Sequence, residues 1–163
     1  MRYFLLMIAV VVLVGGCAST PEVVPYSPDN EAYIEAAIRG QISKPKGKLT
    51  KADLEKVTYL DFSSNKLTDV TGLEKLTKLE ELKLGDNQLT NVKGLENLTQ
   101  LTTLHLYKNK LTNVKGLEKL TQLEGLNLYG NKLTNVKGLE KLTKLERLDL
   151  GSNPDLTKAQ IDE

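Results

Sequence analysis

The stretch NKLTNVKGLEKLT is written twice, as Asn109–Thr121 and again as Asn131–Thr143. A word-for-word repeat at a spacing of 22 residues places the two segments at equivalent positions of a periodic structure. Working outward, Asn65, Asn87, Asn109, Asn131 and Asn153 all keep that spacing. Ahead of each stands Leu-x-Leu or its variant: Leu60/Phe62, Leu82/Leu84, Leu104/Leu106, Leu126/Leu128 and Leu148/Leu150. Leu67, Leu89, Leu111 and Leu133 follow two residues after the first four asparagines. Each unit continues Val-x-x-Leu-x-x-Leu-x-x-Leu, as in Val114, Leu117, Leu120 and Leu123.

A coil of this length cannot hide its own leucines, so coils must stack and share one core. Where the chain bends inward it leaves backbone groups buried, and an asparagine amide, both donor and acceptor, can bond them. The five asparagines are therefore structural. The pattern L-x-x-L-x-L-x-x-N-x-L resembles the leucine-rich-repeat signature. That resemblance implies a leucine-rich-repeat solenoid of the α/β type, with short parallel strands on a concave face. The repeats span 57–153, four full units and one partial.

A stack needs closed ends. Glu31–Ile42 sets Ile34, Ala37, Ile38 and Ile42 on one helical face. Thr50-Lys51-Ala52-Asp53 opens a second helix with a threonine N-cap and an early acid, so 31–56 reads as a helical N-terminal cap. Beyond the repeats, Pro154-Asp155-Leu156 breaks the register, and Thr157-Lys158-Ala159-Gln160 has the form of a capping box. Residues 154–163 read as a short C-terminal cap, with two readings open: a last coil left partly uncovered, or a shortened relative of longer repeat proteins.

From Glu31 to Asn153 the chain resembles the internalin-type, 22-residue repeats of bacterial surface proteins, its lead-in IRGQISKPKGKLTKADLEKVTYLDFSSNKLT included. Internalins proper are long, bind host receptors on the concave face, and carry additional immunoglobulin-like or wall-anchoring segments. No such segment is seen here, so the resemblance carries the fold and does not carry host adhesion.

Tyr3–Val14 (YFLLMIAVVVLV) is an unbroken apolar run behind Arg2. It is too short for a span of about 20 residues and has the form of a secretory signal. Val14-Gly15-Gly16-Cys17 resembles the lipobox of bacterial lipoproteins. In that family the cysteine receives a diacylglycerol and the signal is cut before it. This implies a signal peptide over 1–16, a lipidated N-terminus and tether over 17–30, and a membrane anchor at Cys17. The other reading is an uncleaved anchor helix with an incidental cysteine. The anchor implies an extracytoplasmic protein at the cell membrane or outer membrane. Ala18 follows the cysteine where an Asp would oppose outer-membrane sorting.

Lys+Arg is 22 against Asp+Glu 21, with one His and one Cys. No basic stripe marks a nucleic-acid reader. One cysteine allows neither an internal disulfide nor a cysteine zinc site. His105 is the one histidine and has no nucleophile partner. The glycines at 72, 94, 116 and 138 are one repeat position used for a turn, with no phosphate-cradling motif. The reading is no enzyme, no cofactor, no metal, and a monomer. Lys93, Lys115 and Lys137 form one exposed column and Glu96, Glu118 and Glu140 another, able to pair within or between coils.

Asn109–Gly130 and Asn131–Ser152 match at 17 of 22 positions, and four of the five differences fall in or just after the strand. Strand side chains alternate, so if the leucines face the core, the residues between them face out. The outward columns are Tyr59, Glu81, Thr103, Gly125, Arg147; Asp61, Lys83, His105, Asn127, Asp149; and Ser63, Gly85, Tyr107, Tyr129, Gly151. Strands about 4.8 Å apart would stand Tyr107 and Tyr129 side by side, flanked by His105 and Asn127. The candidate ligand site is Tyr59, Asp61, Lys83, His105, Tyr107, Asn127, Tyr129, Arg147 and Asp149. The surface is smaller than the roughly 20–30 residues a side of a standard protein interface. The favoured function is a lipid-anchored binding module for a protein partner, with a glycan as the other ligand class. The alternative is an envelope scaffold or spacer with no dedicated ligand.

Overall fold

The computed structural model describes residues 30–161. The signal segment, Cys17 and most of the tether lie outside the described residues.

Helix α1, Asn30–Gln41, carries Glu31 in its first turn and Arg39 in its last, each matched to the helix dipole. Ile34, Ala37 and Ile38 are buried as their spacing requires, and Ile42 is partly buried. Tyr33 and Asn30 are buried beside them. Helix α2, Lys51–Leu54, is held by a full capping box: Thr50 Oγ1 accepts from the Asp53 amide, and Asp53 accepts from the Thr50 amide.

Five three-residue strands follow: β1 Tyr59–Asp61, β2 Glu81–Lys83, β3 Thr103–His105, β4 Gly125–Asn127 and β5 Arg147–Asp149. They form one parallel sheet in sequence order, and each residue pairs with the one 22 positions on, Leu60 with Leu82 and Leu104 with Leu126. The repeat period is thus the sheet register. Leucines from all coils meet in one continuous core, most of them fully buried. Truncating such a leucine to alanine costs about 2–5 kcal/mol.

Opposite the sheet, each connection makes a single 3-10 turn, at Leu73–Lys75, Leu95–Asn97, Leu117–Lys119 and Leu139–Lys141. Each opens on a glycine with φ between 102° and 108°, a left-handed conformation open to glycine and strained for other residues. Glu74, Glu96, Glu118 and Glu140 fold back so that Oε2 accepts from the preceding glycine amide at 2.5–2.7 Å. The glutamate column is therefore a set of turn clamps. Among the described residues, Lys93, Lys115 and Lys137 form no ion pair with it, and the one lysine that does is Lys75, 3.9 Å from Glu74 Oε1.

The asparagine ladder works through the backbone. Asn109 Nδ2 donates to the carbonyls of Leu84 and Leu106 at 2.9 and 3.1 Å, and Oδ1 accepts from the Leu89 amide at 3.0 Å. One side chain thus ties two successive coils; the bonds go to main-chain groups and not to the amide of the next asparagine. Asn65 has no coil before it and uses Tyr33 of α1 instead, accepting its hydroxyl at 2.6 Å. At the far end, Gln160 Oε1 accepts from the Thr157 amide at 2.7 Å, and helix α3, Lys158–Ile161, follows.

Candidate functional site

The outward columns stand in register: Tyr59, Glu81, Thr103, Gly125 and Arg147 are successive sheet partners, as are Asp61, Lys83, His105, Asn127 and Asp149. In β1 to β3 the central residue is buried and both neighbours are half-buried; Gly125 of β4 is buried as well.

The first two strands are occupied with themselves. Lys83 Nζ lies 3.3 Å from Glu81 Oε1, donates to Tyr59 Oη at 3.3 Å, and sits 5.1 Å from the Tyr59 ring centroid. Tyr59 Oη donates to Asp61 Oδ2 at 3.4 Å. The hydrogen bond to Tyr59, with help from Glu81, raises the Lys83 pKa against the cost of burial. Tyr59, Asp61 and Lys83, three of the nine candidate residues, are therefore partnered with one another.

The middle of the face is different. Asn127 Oδ1 accepts from the Tyr129 amide at 3.0 Å, which aims the tyrosine and leaves Nδ2 without a partner. Among the described residues, the side chains of His105 and Arg147 and the hydroxyls of Tyr107 and Tyr129 form no hydrogen bond or ion pair. Burial first, and the Lys83 ammonium second, hold the His105 imidazole below its usual pKa, so it is neutral at pH 7. Asp149 Oδ1 accepts from the Gly151 amide at 2.9 Å.

The expected side-by-side pair of Tyr107 and Tyr129 is not formed. Among the described residues the one aromatic pair is Tyr33 with Phe62, centroids 5.8 Å apart. Tyr107 instead leans back over Gly85 of the preceding coil, so that a methyl at Gly85 would overlap Cδ1, Cε1 and Cζ of the ring. Tyr129 leans the other way: a Cβ at Gly151 of the next coil would meet its Cδ2 at 3.0 Å. The physical reason is the flanking glycines. Each ring finds bare backbone on its outer side, where it gains contact that a crowded neighbour would deny it.

The same rule places Arg147. Its Nη2 and Nε stand 3.5 and 3.6 Å from where a Cβ would sit on Gly125, with Thr103 Cγ2 beside them. Three glycines, Gly85, Gly125 and Gly151, are thus seats for Tyr107, Arg147 and Tyr129. These seats were missed by sequence reasoning. Their signal was present: in each case a glycine stands 22 residues from a large side chain in the same column.

The chain matches the family described as Leucine Rich repeats (2 copies) over residues 55–97, 77–119, 99–137 and 121–161. Its fold is similar to an internalin of Listeria monocytogenes, at 35% identity and TM-score 0.70 over 74% of this chain and 36% of that one. It is similar to internalin C2 of the same organism, at 29% identity and TM-score 0.68 over 78% of this chain and 61% of that one. A leucine-rich-repeat protein of Leptospira interrogans matches at 31% identity and TM-score 0.61, over 71% of this chain and 31% of that one. The chain therefore spans a third to under two thirds of those chains' lengths. No curated protein matches it in sequence.

Proposed function

The chain belongs to the leucine-rich-repeat family, and from that premise we propose that it is a binding module engaging a protein partner through the concave face. One observation carries the reading. Polar groups with unused hydrogen-bonding capacity run from the centre of the face to its last strand, at His105, Asn127 Nδ2 and Arg147, beside two tyrosines held open by their glycine seats. Tyrosine offers apolar area with a hydrogen-bonding tip, and arginine offers a forked donor, which are the residue types that carry binding energy at interfaces. The likeness to internalins supports a recognition role over a catalytic one, and no reaction is proposed. The anchor belongs to this proposal too: a diacylglyceryl group on Cys17 would tether the module outside the cytoplasm.

The test is a comparison of wild type with Tyr107→Ala/Tyr129→Ala, matched in thermal unfolding, as baits in envelope and host-surface extracts. A protein retained by wild type and lost by the double variant supports the site. Recovery of the same set by both baits removes it and favours the scaffold reading, which the self-paired Tyr59–Asp61–Lys83 end of the face suits better. Fatty-acid probe labelling that persists in Cys17→Ser would remove the anchor.

A further inference from the structure

The two edges of the sheet are finished differently. At β1 the cap closes the edge: Gln41 Nε2 donates to the Tyr59 carbonyl at 2.7 Å, and Tyr33 packs on Phe62. At the other edge, β5 pairs with β4 alone. Its central leucine, Leu148, is 44% exposed, whereas Leu60, Leu82, Leu104 and Leu126 at the equivalent positions are buried. Leu145, Leu150 and Val136 are partly buried around it. An open strand edge over exposed leucine is a template for another strand.

We propose that this edge pairs with the same edge of a second copy of the chain, antiparallel, about a two-fold axis through Leu148. The charge order of β5 selects this partner. Arg147, Leu148 and Asp149 run positive, apolar, negative. In an antiparallel pair centred on Leu148, Arg147 stands opposite Asp149 of the second copy, twice by symmetry, and Leu148 meets its own equivalent. Opposed Cβ atoms about 4.5–5.5 Å apart are within reach of an arginine–carboxylate bridge. Both groups have capacity to spare: Asp149 uses Oδ1 for the Gly151 amide and leaves Oδ2 free, and Arg147, exposed and with no carboxylate among the described residues, reaches the second copy by turning its side chain from the Gly125 seat to the open edge. A head-to-tail arrangement is disfavoured because α1 covers β1. The two sheets become one, and both concave faces open to the same side. This inference departs from the monomer expected of the sequence, and it does not rest on the ligand site, since its readout is mass.

The experiment is sedimentation of the full chain in mild detergent across a concentration series. Arg147→Asp and Asp149→Arg each turn both bridges into like-charge contacts and should weaken association about tenfold or more. The double exchange Arg147→Asp/Asp149→Arg should restore it, because the order stays self-complementary when reversed. Leu148→Cys should give a disulfide-linked dimer on mild oxidation, since equivalent α-carbons at the axis fall within disulfide range. Wild type, whose one cysteine is Cys17, and Lys132→Cys on another surface should not. A chain that sediments as a monomer at every concentration, single variants that associate like wild type, or a double exchange that fails to restore association would each overturn the proposal. The substituted side chains are exposed, so unfolding curves serve as the control for folding.

Discussion

Tyr33 and Asn65 join the helical cap to the repeats through one buried hydrogen bond of 2.6 Å, from the phenol to the amide oxygen. Every later asparagine finds its donor in the backbone of the coil before it; Asn65 finds it in a side chain. Burial, with the Asp61 charge behind it, pushes the phenol up to about 12.

Tyr33→Phe should keep the ring contact with Phe62 and strand the Asn65 oxygen, costing about 1–3 kcal/mol. Denaturant midpoints at unchanged slope would read that loss. The pH sign follows from the raised pKa: the stability linked to Tyr33 is complete below about pH 10 and disappears as pH rises toward 12. The variant should therefore lose less stability than wild type over that window. An equal loss would mean that other groups govern alkaline unfolding.

Within the stack, Asn109→Ala orphans the buried Leu89 amide and takes one of two bonds from each of the Leu84 and Leu106 carbonyls, which keep Asn87 and Asn131 as donors. At about 1–3 kcal/mol for an unpaired buried group, the lost Leu89 partner sets a cost of that size. Asn153→Ala should cost less. It too strands a buried amide, that of Leu133, but in the last coil, where the bonds to the Leu150 and Gly151 carbonyls are part-buried and water can reach the gap. Thermal unfolding of the pair of variants would order them; equal costs would show that burial at the last coil matches that of the middle.

Asp53 gives the cap an acid limit. Its Oδ2 accepts from Lys44 Nζ at 2.6 Å, and from Thr50 Oγ1 and the Thr50 amide at 2.6 and 2.9 Å. The Lys44 contact first, and then the two bonds from Thr50, hold the carboxyl well below the usual carboxylate range against the cost of burial. For a depressed pKa, the linked stability is present above the unfolded value, about 3.9, and is lost as pH falls below it. The protection of α2 amides, measured against intrinsic exchange at each pH, should fall below about pH 4, and Asp53→Asn should flatten that dependence while weakening the cap at neutral pH. A variant with the same acid profile as wild type would place the limit elsewhere.

What the sequence revealed and what it hid divide along one line. Its 22-residue period specified the register, the asparagine ladder and the outward columns, because each depends on where a Cα sits. Period says nothing of rotamers, so Tyr107 and Tyr129 were expected as neighbours when the glycines beside them draw the rings apart. The Gly-x-Glu spacing, Gly72 to Glu74 and its copies, was equally visible, but an exposed glutamate near lysine columns suggests an ion pair before it suggests an amide clamp. Tyr33 escaped because helical spacing marks an apolar face without showing that a phenol at its margin would reach a buried amide.

Gly85 tests the seating rule directly. Its φ lies outside the left-handed region, so alanine is compatible with the backbone there, and what a methyl must displace is the Tyr107 ring. A ring on a flexible side chain can swing out, so Gly85→Ala should cost about 1 kcal/mol or less, while moving Tyr107 into solvent and towards Tyr129. Gly116→Ala makes the opposite case. Its nearest neighbours stand at 3.9 Å, but φ is +102°, so the strain is in the backbone; it should lose about 1 kcal/mol or more with Tyr107 unmoved. Tyrosine ring NMR shifts would separate the two effects from global stability. If Gly85→Ala leaves the Tyr107 resonances where they are, the ring is not held by its seat, and the open centre of the concave face needs another cause.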